Sequence, residues 1–305
     1  MRKTRFFFLL ASLFAVLCIL DYGIGKFLEY LYFNQKQGKL YNITYAIEKQ
    51  TNDVIIMGSS RAMHHYNPDI ISDSLKLSCY NAGYDGQGIL YHEAILNTIL
   101  QRYTPKIIIL DVNNYELSIN EASYDLLSIL NPYVAKHPIL TETVNQKGKF
   151  ERYKFLSHIY PYNSLFARII MGNLNFSTKD VSENGFTAQT GIWEQPIDSI
   201  TFLKNEILDK QKVHSLNKFL KECKKKGTSL YVVYSPTYRK EKNTSKSIDY
   251  IKNACKEYDI PFISYQNNPN FTNNLLFHDF DHLNDKGADC FSSDIATYIK
   301  KAKKH

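Results

Sequence analysis

The chain reads as an α/β protein of three layers, α/β/α, with a flavodoxin-like parallel sheet of about five strands. Three observations predict this. Short apolar runs alternate with helical patterns, each run ends in turn residues, and one long segment in mid-chain breaks the rhythm. A chain of 305 residues with 44% hydrophobic content can bury one sizeable core. The formal charge of +7 is concentrated at Lys224 to Lys226 and in the tail Lys300, Lys301, Lys303 and Lys304. Such runs read as solvated helix faces, and no basic stripe interleaved with aromatics is present, so no nucleic-acid partner is expected. The cysteines, Cys18, Cys79, Cys223, Cys255 and Cys290, are odd in number and lack metal-type spacing. A disulfide framework, a structural zinc site and a cofactor are therefore not expected.

At the amino terminus Arg2, Lys3 and Arg5 precede the apolar run Phe6 to Leu20, which continues weakly through Tyr22 to Ile24. A cleaved signal peptide and an uncleaved anchor both begin this way. Nothing resembling A-x-A follows, and Leu17 stands before Cys18 where a lipoprotein site needs a small residue. The expectation is a transmembrane signal anchor over residues 1–24, cations in the cytoplasm and everything from about residue 25 onward outside. A linker helix follows from Lys26 to Gln50, apolar and aromatic on one face, and residues 51–305 form the main domain.

The expected strands are Val54 to Met57, Ser78 to Asn81, Lys106 to Leu110, Ser229 to Tyr234 and Pro261 to Tyr265. Between them the period switches to helix: Ile95 with Ile99 and Leu96 with Leu100, then Leu216, Phe219, Leu220 and Cys223, then Ile248, Ile251, Cys255 and Tyr258. A last helix opens at Asn284, a good N-cap, and turns Ala288, Phe291, Ile295, Tyr298 and Ile299 inward. The stretch from about Tyr115 to Ser199, rich in Tyr, Asn and Ser, reads as an insertion over the carboxyl edge of the sheet.

Four segments fall at strand ends or before the last helix, and in an open parallel sheet such ends converge on one crevice. They are Gly58-Ser59-Ser60, "NAGYDG" from Asn81 to Gly86, "DVNNYE" from Asp111 to Glu116, and "HDFDHLNDKGA" from His278 to Ala288. Together they offer a hydroxyl at a strand-to-helix turn, a glycine, an asparagine amide, and an acid three residues before a histidine. Nucleophilic attack on an ester needs a hydroxyl, a base, a group orienting the base, and donors for the oxyanion.

In these blocks and in their order the sequence resembles the SGNH, or GDSL-type, hydrolase and acyltransferase superfamily. The resemblance implies Ser60 as nucleophile, His282 as base and Asp279 as its orienting acid. It places the oxyanion hole at Ser60, Gly86 and Asn114, with Asn113 a rival to Asn114 because the glycine before the family's asparagine is replaced by Val112. Ser59 stands where the family has Asp. The match covers roughly residues 51–120 and 228–300. No G-x-S-x-G elbow occurs, which speaks against the α/β-hydrolase fold.

A divalent metal held by His278, Asp279, Asp281 and His282, with His64 and His65 added, is a competing arrangement. Adjacent loop residues cannot all face one centre, and His64 and His65 are expected on the surface of the first helix. Arg61, Tyr234 and Trp193 are candidate substrate-binding residues, with Tyr238 near the same edge. Tyr153, Tyr160 and Tyr162 would either stack on sugars or pack the insertion.

The Gly-Ser-Ser block, the anchor and the insertion resemble the membrane-anchored branch that modifies surface polysaccharides. That resemblance implies transfer or removal of an acyl group, acetyl above all, on a cell-surface glycan, alongside a membrane-bound O-acyltransferase as partner. A plain carbohydrate or lipid esterase, and a non-catalytic assembly partner of such an acyltransferase, are the alternatives.

Overall fold

The computed structural model describes residues 2–174 and 184–302; residues 175–183 of the expected insertion, and Lys303 and Lys304, lie outside the described residues. In chain order the helices before mid-chain are α1 (Arg2–Phe33), α2 (Lys39–Glu48), α3 (Ser60–His65), α4 (Pro68–Leu75), α5 (Ile89–Arg102) and α6 (Ala122–Asp125). They are followed by α7 (Thr141–Asn145), α8 (Glu151–Lys154), α9 (Phe166–Asn173), α10 (Lys210–Lys226), α11 (Lys246–Glu257) and α12 (Asp285–Ala302). The strands are β1 (Val54–Met57), β2 (Cys79–Asn81), β3 (Ile107–Asp111), β4 (Ser229–Tyr234) and β5 (Phe262–Ser264).

The five strands form one parallel sheet in the order β2-β1-β3-β4-β5. Every residue of β1 and β3 is buried. That explains why they read as unbroken apolar runs rather than alternating ones, since a parallel sheet is covered on both faces. The chain moves from β1 out to β2 and returns across β1 to β3. The order therefore reverses between β1 and β3, and the crevice expected at such a reversal opens at their carboxyl ends.

Helix ends follow local chemistry. Asp209 accepts from the N–H groups of Gln211 and Lys212 to start α10, and Ser245 accepts from Ile248 to start α11. Asn284 Oδ1 accepts from the Gly287 N–H at 3.0 Å and caps α12, as its sequence position predicts.

The described residues divide into two compact units: 2–41 with 127–174, and 42–126 with 184–302. The second unit holds the sheet, with Val54, Ile56, Ile109, Val233, Phe291 and Ile295 in its core. The first unit has a core of its own, in which Leu28 and Tyr32 of α1 are buried, as are Leu130, Tyr133, Val144 and Ile169. Tyr32 donates its hydroxyl to that of Tyr133 at 2.9 Å.

Two expectations take a different form. The helix expected from Lys26 to Gln50 is two helices: α1 runs on to Phe33, and Gly38, at φ +88°, turns the chain into α2. The stretch read as a single insertion is divided, residues 127–174 joining α1 and residues 184–199 joining the sheet unit. The apolar residues Leu127, Ile129 and Leu130 need cover, and within their unit they are buried.

Candidate active site

The site begins with the end of β1. Gly58 has φ +146°, and a Cβ there would stand 2.8 Å from both the Asp111 carbonyl oxygen and the Ala62 Cβ. Only glycine permits so close a turn, which starts α3 immediately beyond β1 with Ser60 in its first position. The Ser60 backbone N–H lies in the first helical turn, where no intrahelical acceptor exists. The Ser59 side chain makes no capping bond.

Ser60 Oγ is 2.8 Å from His282 Nε2. His282 Nδ1 is 2.8 Å from Asp279 Oδ2 and 3.0 Å from Oδ1. Asp279 Oδ1 also accepts the backbone N–H groups of Asp281 at 2.7 Å and His282 at 2.8 Å, a turn closed by a side chain. Burial raises the Asp279 pKa, but the His282 bond and these backbone donors outweigh it and bring the carboxyl down to about 2. The carboxylate is thus ionised and holds Nδ1–H, leaving Nε2 to take the serine proton.

The loop carrying His282 is fastened from several sides. His278 N–H donates to the His282 carbonyl at 2.9 Å, Tyr238 N–H to the Phe280 carbonyl at 3.1 Å, and Asn284 N–H to the Leu276 carbonyl at 3.0 Å. His65 Nε2 accepts from the Leu283 N–H at 3.1 Å, while Nδ1 lies 3.2 Å from Ser235 Oγ. Because one ring nitrogen accepts, His65 is neutral; burial drives its pKa well below the usual histidine range.

His65 and His64 are therefore interior residues, which corrects the expectation that they lie on the surface. The reason is that α3 has only six residues, and its last turn is enclosed by the 278–284 loop and α12. His64 Nδ1 bonds the Thr187 carbonyl at 2.7 Å, and its ring meets His282 edge-on at 5.6 Å between centroids. The metal arrangement does not form: His278 Nδ1 turns to the Thr190 carbonyl at 2.5 Å while Asp279 is committed to His282.

A cavity of about 190 Å³ opens at Ser60 and His282, and Arg61, Asn113, Asn114 and Asp281 share its wall. Burial raises the Asp281 pKa despite nearby Arg61 and His282. Of the expected oxyanion donors, Asn114 reaches the wall but points its amide at the Tyr234 hydroxyl and, at 2.9 Å, at Glu241 Oε1. Asn113 also reaches the wall and donates to Glu116 Oε2 at 2.7 Å. Gly86, at φ +74°, lies in the turn after β2 and does not line the cavity.

Arg61 lines the cavity, yet its guanidinium is buried and engaged inward. It donates to the Val112 carbonyl and, at 3.4 Å, to the Ser235 carbonyl, lies 3.5 Å from Asp111 and stacks 4.9 Å from the Tyr234 ring centre. It thus ties α3 to the ends of β3 and β4. Tyr234 is buried beneath Asn114 and does not reach the cavity. Trp193 lines a separate cavity of about 410 Å³, together with Arg239 and Phe280. Tyr153, Tyr160 and Tyr162 belong to the other unit, where Tyr162 packs 5.9 Å from Tyr32.

Sequence reasoning missed Glu241 as part of the site; it placed Asp111 in a strand-end block without a role of its own and gave Asp281 a role only in the competing metal arrangement. Asp111 carried a signal, an acid directly after an apolar strand; Glu241, inside "RKEKN", carried none.

No protein-family model matches the chain, and no curated protein does. Solved structures similar to it include a psychrotrophic esterase from Pseudoalteromonas sp., at 11% identity and TM-score 0.43, covering 83% of this chain and 100% of that one. A two-domain esterase active on acetylated mannans has 13% identity and TM-score 0.43, with 88% of this chain and 55% of that one covered. An alpha/beta hydrolase enzyme from the metagenome of Lake Arreo has 6% identity and TM-score 0.43, with 81% and 94% covered. At these values the functional reading rests on the side-chain geometry of the site.

Proposed function

We propose that the chain is an SGNH-type serine enzyme that forms an acyl-enzyme on Ser60. One observation carries the reading: the unbroken line from Asp279 through His282 to the Ser60 hydroxyl. As Ser60 Oγ bonds to the ester carbonyl carbon, His282 Nε2 takes its proton. The oxyanion is held by the Ser60 N–H, with the second N–H of the Asn113 amide at the cavity wall as the side-chain donor, since both Asn114 amide hydrogens go to Tyr234 and Glu241. Collapse breaks the bond to the alcohol, which leaves with the proton from His282. A second nucleophile, activated by the same imidazole, then releases the acyl group.

A fluorophosphonate probe is expected to label Ser60, and a chromogenic acetate ester to be turned over by the wild type but not by Ser60→Ala or His282→Ala. Labelling at Ser59, or turnover that survives His282→Ala and vanishes with a chelator, overturns the reading.

The second nucleophile we propose is a carbohydrate hydroxyl at a cell surface, so that an acetyl group is transferred to a glycan; with water in that place the same acyl-enzyme instead completes removal of an acetyl group from a glycan. Support comes from the Trp193–Phe280–Arg239 cavity, where the indole suits a sugar ring, the Arg239 guanidinium stacked 4.1 Å from the Phe280 ring centre suits sugar hydroxyls, and Phe280 sits between Asp279 and Asp281. A labelled acetyl group should partition from acetate to oligosaccharide when the right glycan is added, and less so in Trp193→Ala. Acetate as the only product with every surface glycan tried leaves plain ester hydrolysis.

We further propose that α1 remains attached as an anchor with the rest of the chain outside the cytoplasm. Among the described residues α1 is the one helix long and apolar enough to cross a membrane. Cleavage at the end of the apolar run, after about Ile24, would strip Asp21 from its bonds to Ser157, His158 and Ile159 of the same unit, which favours retention. Added protease should digest the catalytic unit in intact spheroplasts; complete protection would reverse the topology.

The assembly-partner alternative has two observations in its favour. Asn114 gives its amide to Tyr234 and Glu241, and Gly86 is off the cavity wall. The probe separates the two readings, because a non-catalytic partner has no activated Ser60 to label.

A further inference from the structure

We infer that the turn around α8, residues 149–156, is a second membrane contact that lies in the headgroup layer of the outer leaflet. The inference rests on the reading of α1 as a membrane span. Phe150, Tyr153 and Leu156 recur three residues apart, so they share one face of a helical turn. All three point outward: their exposures are 62%, 51% and 81%. Isolated apolar residues are ordinary on a protein surface, but three on one face of one turn mark an interaction patch.

The charges beside them match a lipid surface. The Lys149 ammonium lies 5.7 Å from the Phe150 ring centre and the Arg152 guanidinium 4.6 Å from that of Tyr153. Lys154 pairs with Glu151, whose carboxylate is buried, so it does not add to the outward charge in full. Aromatic rings flanked by long cationic side chains are the composition found at membrane interfaces, where the rings lie among the headgroups and the cations meet phosphates.

Depth follows from where this turn is fastened to α1. Asp21 accepts from Ser157 Oγ at 2.5 Å and from the N–H groups of His158 at 2.7 Å and Ile159 at 3.4 Å. A Cβ at Gly25 would stand 2.5 Å from the His158 backbone, so the helix and this segment touch main chain to main chain. At about 1.5 Å per residue, Asp21 stands roughly 24 Å along α1 from Arg5. With the cationic start at the inner boundary of a hydrocarbon layer about 30 Å thick, Asp21 lies just short of the outer boundary. Leu156, next in sequence to Ser157, is thereby held at the acyl–headgroup junction. The three donors on Asp21 also satisfy a carboxylate that would otherwise be costly at that level. The α9 helix, whose Asn173 reaches the Leu31 carbonyl, is fastened about 15 Å further along α1 and lies beyond this layer.

The test places tryptophan as a depth reporter in the full chain, reconstituted in vesicles of phosphatidylcholine and phosphatidylglycerol. Leu156→Trp and, separately, Leu13→Trp are made in a Trp193→Phe background, so each protein has one indole. Leu13 reports on the anchor and Leu156 on the inferred contact. The expected result is that Leu13→Trp loses emission to lipids brominated deep in the acyl chain. Leu156→Trp should lose emission to lipids brominated near the headgroup and be shielded from aqueous acrylamide. If Leu13→Trp responds to lipid while acrylamide quenches Leu156→Trp freely, the second contact is overturned and the anchor stands. Shielding of Leu156→Trp from acrylamide and bromine alike means that protein covers the patch, which also overturns it. If neither indole responds to lipid, the anchor reading fails and takes this inference with it.

Discussion

Each residue of the relay owes its state to a neighbour. Removing the Ser60 hydroxyl should lower kcat on an activated ester by roughly 10⁶-fold, leaving only the acceleration that binding and oxyanion donors supply. It removes one half-buried hydrogen bond, worth about 1 kcal/mol, so thermal unfolding should shift by only a few degrees. The Asp279 carboxyl, brought from 3.8 down to about 2, contributes on the order of 1 kcal/mol of stability once solvent screening at this half-buried group is counted. Its native pKa is depressed, so that contribution is present above about pH 4 and is lost as pH falls through about 2. Glu116 behaves in the opposite sense, because burial lifts its carboxyl from 4.5 to about 7. Between these values the folded chain holds a proton that the unfolded chain has released, so stability falls as pH rises through the window. Urea unfolding at pH 5 and pH 8 should show wild type losing up to about 3 kcal/mol from this group, and Glu116→Gln should flatten the difference. An unchanged pH dependence in Glu116→Gln would show that the group titrates outside that range.

At the scale of elements, the β1–α3 turn sets the serine's position, and Gly58 makes that turn. Gly58→Ala places a methyl 2.8 Å from the Asp111 carbonyl and demands a strained φ. The expected cost is more than about 2 kcal/mol, with slowed probe labelling of Ser60 because α3 must shift. Equal stability and equal labelling would show that the turn can relax. The turn, β1, β4 and the α12 cap were legible because each is local: an apolar run, a glycine and an N-cap need no distant partner. The edge strands β2 and β5 are shorter than the runs that encode them, since each pairs on one side only. The burial of His64 and His65 was hidden because it depends on residues such as Leu283 and Thr187, far away in the chain. Glu241 was hidden for the same reason: its meaning lies in Tyr234 and in Asn114, which is 127 residues distant. Asn114 itself was assigned to the oxyanion hole by the family resemblance, with Asn113 as rival, and neither the motif nor its place in the chain could reveal which acceptors its amide meets.

For the whole molecule the informative feature is that there are two cores. The mid-chain segment that matched no motif is in part the covering of α1, and its aromatic residues serve that core. Tyr32 is fully buried in it, within 5.7 Å of Tyr133 and 5.9 Å of Tyr162 between ring centres. Tyr32→Ala removes a large side chain from among these rings and from its bond to the Tyr133 hydroxyl. Truncation of a buried aromatic costs roughly 3–5 kcal/mol through lost contacts and an unfilled cavity, which is a large share of the stability of a unit this small. The Ser60, His282 and Asp279 bonds lie wholly inside the sheet unit, whose core contains none of these residues. Limited proteolysis of Tyr32→Ala is therefore expected to cut between residues 127 and 174 at protease levels that leave the wild type intact. Fluorophosphonate labelling of Ser60 should proceed at the wild-type rate. Loss of labelling in step with that cleavage would mean that the relay draws its order from the first unit, and the two-core account would be wrong.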